Sequence, residues 1–154
     1  MYTKIDSDLK ASALGLIEGE PNLIANLANL SALFFHEIPN LNWAGFYLWD
    51  EPTQELVLGP FQGKPACVRI SPKRGVCGLA YSTKTAQRVD DVHLFPGHIA
   101  CDSDSQSELV IPIVVDQSCL GVLDLDSPLK ARFSQNDLDN LQDILKSLIP
   151  KLWN

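Results

Sequence analysis

The chain is short of positive charge and of long apolar runs. Lys and Arg together number 12 against 19 Asp and Glu, a formal net charge of −7. Binding a phosphate backbone or an anionic lipid surface draws on counterion release at clustered basic residues, so neither nucleic acid nor membrane is an expected partner. The longest uninterrupted apolar stretch, Leu109 to Val115, is seven residues, whereas a helix needs roughly 20 to span a bilayer. Residues 1–10 mix charge with hydroxyls and contain no apolar signal core. The expectation is a soluble, cytoplasmic protein.

Metal and phosphate motifs are also missing. No two of the four cysteines (Cys67, Cys77, Cys101 and Cys119) stand two to four residues apart, as zinc ribbons and fingers require. His93 and His98 are five apart in an expected loop, with no helix to bring them to one face. A zinc-stabilised interaction protein is therefore the weaker alternative, and no metal or organic cofactor is expected. The glycines around Cys77 are not followed by Gly-Lys-Ser/Thr, which removes a phosphate loop.

What is present is an ordinary globular composition. The 154 residues are 45% apolar and 20% charged, enough for one core without disulfide staples, so residues 1–154 read as a single domain. In a reducing compartment the cysteines are then buried apolar residues, metal ligands or redox-active thiols.

Hydrophobic spacing places helices at both ends. Leu9, Ala13, Leu16 and Ile17 mark one over Ser7 to Glu18, with Gly19 placed to end it. Pro21 suits the first position of a second helix, whose stripe is Leu23, Leu27, Leu30 and Phe34. Trp43 to Trp49, Leu56 to Phe61 and Ala66 to Ile70 read as strands, and Gly75 to Ser82 as a short helix. Glu108 to Val115 and Cys119 to Asp126 form the strongest strand pair, turning at Asp116 and Gln117. Ser134 and Asp137 cap a closing helix that carries Leu138, Leu141, Leu145, Leu148 and Leu152 and is open to disturbance at Pro150. The fold class is α+β, an antiparallel sheet covered by helices. Between its elements, Asp90 to Ser107 lacks apolar periodicity, and a loop of that length is usually either functional or disordered.

Strand alternation puts Asp124 and Asp126 on one face with Leu120 and Val122, and Leu123 and Leu125 on the other. Carboxylates two residues apart on a strand lie roughly 7 Å apart. Their repulsion, on the order of 2 kcal/mol at an effective dielectric near 20, calls for a cation or a shared proton if the face is buried. Glu108 on the neighbouring strand extends the pair to three acids; the plain alternative is that all three are solvated strand ends. Among the thiols, Arg74 and an adjacent helix N-terminus favour Cys77 as the low-pKa cysteine, while the long loop gives Cys101 the freedom that disulfide exchange needs.

Five segments together resemble a known family: Asn42-Trp43-Ala44-Gly45-Phe46-Tyr47, Gly59-Pro60-Phe61-Gln62-Gly63, Arg74-Gly75-Val76-Cys77-Gly78, Phe95-Pro96-Gly97-His98-Ile99-Ala100-Cys101-Asp102 and Gly121-Val122-Leu123-Asp124-Leu125-Asp126-Ser127-Pro128. They are similar to the free methionine-(R)-sulfoxide reductases, GAF-domain enzymes acting on the free amino acid. The resemblance implies a six-stranded antiparallel sheet, helices behind it and an enclosed pocket on the other face. It implies Cys101 as nucleophile, Cys67 as resolving cysteine, Cys77 as a further recycling thiol, and Glu108, Asp124 and Asp126 as pocket acids. Trp43 and Tyr47 are candidates for an aromatic wall against the substrate methyl. The implied partners are free methionine-(R)-sulfoxide, a thioredoxin-type reductant and a second copy in a homodimer. The rival is a non-catalytic GAF sensor of a small ligand, which would be expected beside an output module. Cys119 has no implied role.

Overall fold

A computed structural model describes residues 4–98 and 101–154. Ile99 and Ala100, inside the fourth segment above, lie outside the described residues. The chain runs α1 (Ser7–Ile17), α2 (Leu23–Glu37), β1 (Trp43–Asp50), β2 (Glu55–Gly63), β3 (Arg69–Ile70), α3 (Gly75–Thr83), β4 (Gln87–Val89), a 3-10 turn (Val92–Leu94), β5 (Ser107–Val115), β6 (Ser118–Ser127) and α4 (Gln135–Leu152). One sheet takes all six strands in the order β3-β2-β1-β6-β5-β4, and every neighbouring pair is antiparallel.

Side-chain alternation sorts the two faces. Ala44, Phe46, Leu109, Ile111, Ile113, Leu123 and Leu125 point to one side and pack against the apolar stripes of α1, α2 and α4. Trp43, Tyr47, Val110 and Val122 point to the other, where they meet α3 through Val76, Cys77 and Ala80. The terminal helices thus cover one face, and the opposite face is left for a site. This is the expected α+β arrangement.

Local chemistry explains the ends of the elements. Asp6 and Asn22 cap α1 and α2 through side-chain oxygens that accept backbone N–H groups of Leu9 and Ala25. Ser134 and Asp137 form a capping box at the start of α4. Asp116 and Gln117 have φ of 49° and 69°, the positive pair that a two-residue hairpin requires.

Several expectations need correction. Pro21 precedes the Asn22 cap instead of opening α2. Pro150 does not interrupt α4, which continues to Leu152. Only Arg69 and Ile70 of the Ala66–Ile70 stretch pair as a strand, so Cys67 sits in irregular chain. The β5–β6 register shifts between Ile113 and Val114, opposite Gly121 and Cys119. Leu120 is the extra residue of that bulge and joins the helix-side core, not the face of Val122 and Asp124. Ser107 belongs to β5 and not to the preceding loop.

Candidate active site

The register of three central strands builds the floor of the site. Trp43 of β1 lies opposite Asp126 of β6, which in turn lies opposite Glu108 of β5. The next row on the same face is Gly45, Asp124 and Val110; the one after is Tyr47, Val122 and Pro112. Three acids and two aromatic rings therefore share one face because their sequence positions share parity across paired strands. Gly45 has no side chain on this face because a Cβ there would collide with Phe61 of β2.

Walls rise from α3 and two loops. The cavity is bounded by Gly75, Val76 and Cys77 from α3, by Pro65 and Ala66 beside Cys67, and by His98, Cys101, Asp102 and Ser105. Cys67 and Cys101, 34 positions apart in sequence, are joined in a disulfide with Cα atoms 5.6 Å apart. Tyr47 donates its hydroxyl to the Cys67 carbonyl at 2.8 Å, and Trp43 donates Nε1 to the Lys64 carbonyl at 3.1 Å. The two aromatics, stacked with ring centroids 5.8 Å apart, thus fasten the Cys67 segment as well as line the pocket. With the disulfide closed the cavity is only about 50 Å³, well under the several hundred usual for a small-molecule site.

Glu108 and Asp124 are each 6% exposed, and burial raises the pKa of all three acids. For Glu108 and Asp126, repulsion from Asp124 and its hydrogen bonds add to the rise. Asp124 is partly held down by hydrogen bonds from Glu108, Cys77 and Asp126. Three carboxyl groups this close and this shielded from water therefore share protons instead of all ionising together. Burial and the same acids push the Cys77 thiol well up, and its Sγ lies 3.9 Å from Glu108 Oε2. This overturns the expectation that Arg74 and the helix N-terminus make Cys77 the low-pKa thiol: desolvation and three carboxyl groups outweigh both. His98 Nε2 is 3.9 Å from Glu108 Oε1, and burial lowers the imidazole pKa toward the neutral form.

The GAF domain family matches residues 25–148. A free methionine-R-sulfoxide reductase of Escherichia coli (strain K12) is 49% identical over 146 residues, covering 95% of this chain and 87% of that protein. The protein YtsP of Bacillus subtilis (strain 168) is 55% identical over 133 residues, 86% of this chain and 82% of its own length. The structure of fRMsr of Staphylococcus aureus in complex with substrate superposes with a TM-score of 0.90 at 48% identity, covering 97% of this chain and 96% of that one. The chain belongs to the free methionine-R-sulfoxide reductase family. It is an oxidoreductase.

In this reductase the expected site residues share one cavity. Glu108, Asp124, Asp126, Trp43, Tyr47, Cys77 and Cys101 all line one cavity, and Cys67 is bonded to Cys101 at its edge. Cys119 lies elsewhere, buried, with Sγ 3.3 Å from the Gly121 carbonyl at the β-bulge. Phe46 belongs to the helix-side core, and Trp49 stacks on Tyr81 with centroids 4.2 Å apart. Of potential metal ligands among the described residues, Cys77, Glu108 and Asp124 converge, each offering an atom within 4.8 Å of the others. His93, by contrast, has a side chain 60% exposed. Asp102 and Ser105 also line the pocket, although neither is among the acids or thiols that the sequence singles out. The signal was the Asp-Ser-Asp run after Cys101, since such residues close turns on their own backbone.

Proposed function

We propose that this chain reduces free L-methionine-(R)-sulfoxide to L-methionine. The observation that carries the reading is a disulfide between Cys67 and Cys101 at the edge of a cavity floored by three carboxyl groups, those of Glu108 and Asp124 buried and that of Asp126 partly buried. A sulfoxide sulfur is electrophilic, but its oxygen leaves only with a proton, so the reaction needs a thiolate beside an acid. The Cys101 thiolate attacks the sulfur while a protonated member of the acid cluster supplies a proton to the oxygen. The oxygen, protonated twice, leaves the methionine sulfur as water, and a Cys101–methionine sulfonium remains. A water then attacks Cys101 Sγ and returns one proton, methionine departs with the electron pair of the sulfur–sulfur bond, and Cys101 is left as a sulfenic acid. The Cys67 thiol then displaces water from that sulfenic acid, closing the disulfide. An external dithiol of the thioredoxin type restores both thiols by exchange and is itself oxidised to a disulfide. Cys77, buried inside the same pocket, is a reserve thiol for that recycling.

Substrate specificity follows from the same charges. The α-ammonium group of the free amino acid pairs with Asp124 and relieves the repulsion within the cluster. An amide nitrogen in a peptide carries no such charge, so methionine sulfoxide within a protein is refused. The α-carboxylate has the first turn of α3 available, where the Arg74 cap makes no side-chain hydrogen bond and Gly75 and Val76 line the cavity. The methyl group rests against Trp43 and Tyr47. The small cavity of the disulfide form belongs to the product side of the cycle, so substrate enters after reduction. We further propose one domain over residues 1–154, a homodimer and a cytoplasmic location. Among the described residues no helix is long and apolar enough to cross a membrane.

Cysteine variants test this sequence of steps. Cys101→Ser abolishes methionine release, and full turnover by that variant refutes the nucleophile assignment. Cys67→Ser releases about one methionine per reduced chain but loses steady-state turnover with thioredoxin; unchanged steady-state turnover removes its resolving role.

A further inference from the structure

Asn42 stands just before β1 and ties three parts of the pocket together. Its backbone N–H donates to the Asp126 carbonyl at 3.0 Å. Its side-chain Nδ2 donates to Asp102 Oδ2 and to Ser105 Oγ, each at 3.0 Å. The amide orientation is fixed by chemistry, because a flipped side chain would set its oxygen against the Asp102 carboxylate. Asp102 and Ser105 close one turn: Asp102 Oδ1 accepts the Asp104 N–H at 2.9 Å, and the Asp102 carbonyl accepts the Ser105 N–H at 3.2 Å. Asn42 Oδ1 is buried without a hydrogen-bond partner. A buried acceptor without a partner is a cost to the fold.

We propose that Asn42 is a positioning residue of the reductase reaction, holding the turn that carries Cys101 against the acid cluster while the Cys67–Cys101 bond is open. The inference rests on Cys101 being the nucleophile. In the disulfide form the turn is tethered covalently. Once reduced, its far end stays anchored where the Gln106 N–H donates to the Ser127 carbonyl at 2.7 Å. The stretch next to Cys101 keeps the Asn42 amide and the Lys64–Asp104 ion pair at 2.7 Å, whose side chains are 68% and 59% exposed. Exposed pairs of that kind hold little. Asn42 is also bonded to the strand that carries Asp126 and precedes Trp43, so it sets the turn relative to both the acid and the aromatic wall. Displacing a reacting atom by about 1 Å costs on the order of 10²-fold in rate.

A reciprocal exchange tests the pairing. Asn42→Asp places a carboxylate against Asp102. The double variant Asn42→Asp/Asp102→Asn restores a donor–acceptor pair in the opposite direction, and the Ser105 hydroxyl then donates to the new carboxylate. With reduced full-length protein and saturating free methionine-(R)-sulfoxide, Asn42→Asp lowers the single-turnover rate on the order of 10²-fold with KM little changed. The exchange recovers at least tenfold of that loss. Hydrogen exchange over 101–105 rises in reduced Asn42→Asp but hardly in its disulfide form, whereas general destabilisation would raise it throughout the chain in both. A rate within twofold of the parent, or an exchange variant no better than the single one, overturns the proposal. If Asn42→Asp fails to fold, the double variant decides: folded and active supports the pairing, unfolded or inactive refutes it. The hydrogen-exchange result does not depend on which thiol is the nucleophile, so an active Cys101→Ser would sink that assignment separately.

Discussion

Glu108, Asp124 and Asp126 are costly residues to place where they stand. Each has a folded pKa above its value in the unfolded chain because burial disfavours the anion. The native state therefore binds more protons than the unfolded one, and stability falls as pH rises from the ordinary carboxylate range through the raised values. Glu108→Gln removes one titrating member and keeps the shape. The variant melts higher than the parent at pH 7.5, by ~3 °C for each kcal/mol relieved, and its stability declines less with pH. Thermal unfolding at pH 5 and pH 7.5 checks this; an equal or steeper decline in the variant would show that Glu108 is not held protonated. Its methionine-forming rate falls at the same time, which is the usual exchange of stability for function. Asp124→Asn lowers the rate without unfolding the chain, because the α-ammonium partner is lost. A parental rate constant would remove Asp124 from the mechanism.

Elements place these residues, and their dependence on backbone detail decides what was legible beforehand. The β5–β6 pair was readable as a hairpin, since an unbroken apolar run, the alternation of Leu123 and Leu125 with Asp124 and Asp126, and a two-residue turn all mark it. The Ser134–Asp137 box was readable from its spacing. β4 was not: Gln87–Val89 has no apolar pattern and is a strand only because β5 pairs with it. The bulge at Leu120 was also hidden, because it depends on Gly121 passing the Tyr47 carbonyl more closely than any Cβ allows. Local text favoured Cys77 as the activated thiol; only the register shows that it faces three acids. Nor could spacing bring Cys67 to Cys101 without the resemblance. Arg132 is a further element that the sequence hid. Its side chain is fully buried, pairs with Asp137 at 3.2 Å, and reaches the Pro39 carbonyl at 3.0 Å. Asp137→Ala leaves that guanidinium without its carboxylate and costs roughly 3–5 kcal/mol, measurable by urea unfolding. A loss below about 1 kcal/mol would mean that Arg132 finds full compensation elsewhere.

At the scale of the molecule, one sheet separates stability from chemistry. The helix-covered face carries the larger apolar cluster, while the opposite face gathers acids, aromatics and thiols under two loops. That division lets the reactive side hold groups that weaken folding, since the packed side offsets them. It also explains the substrate: a cavity whose floor is acidic and whose edge is a disulfide suits a small zwitterion bearing an oxidised sulfur. The measurement that bears most directly on this account is turnover of the separated (R) and (S) sulfoxides of free methionine by the reduced chain, with a thioredoxin system as electron source. The account predicts that the free (R) form alone is consumed, with one methionine formed for each thioredoxin disulfide produced. Consumption of both forms at similar rates, or none by a chain whose Cys67 and Cys101 are fully reduced, would contradict it.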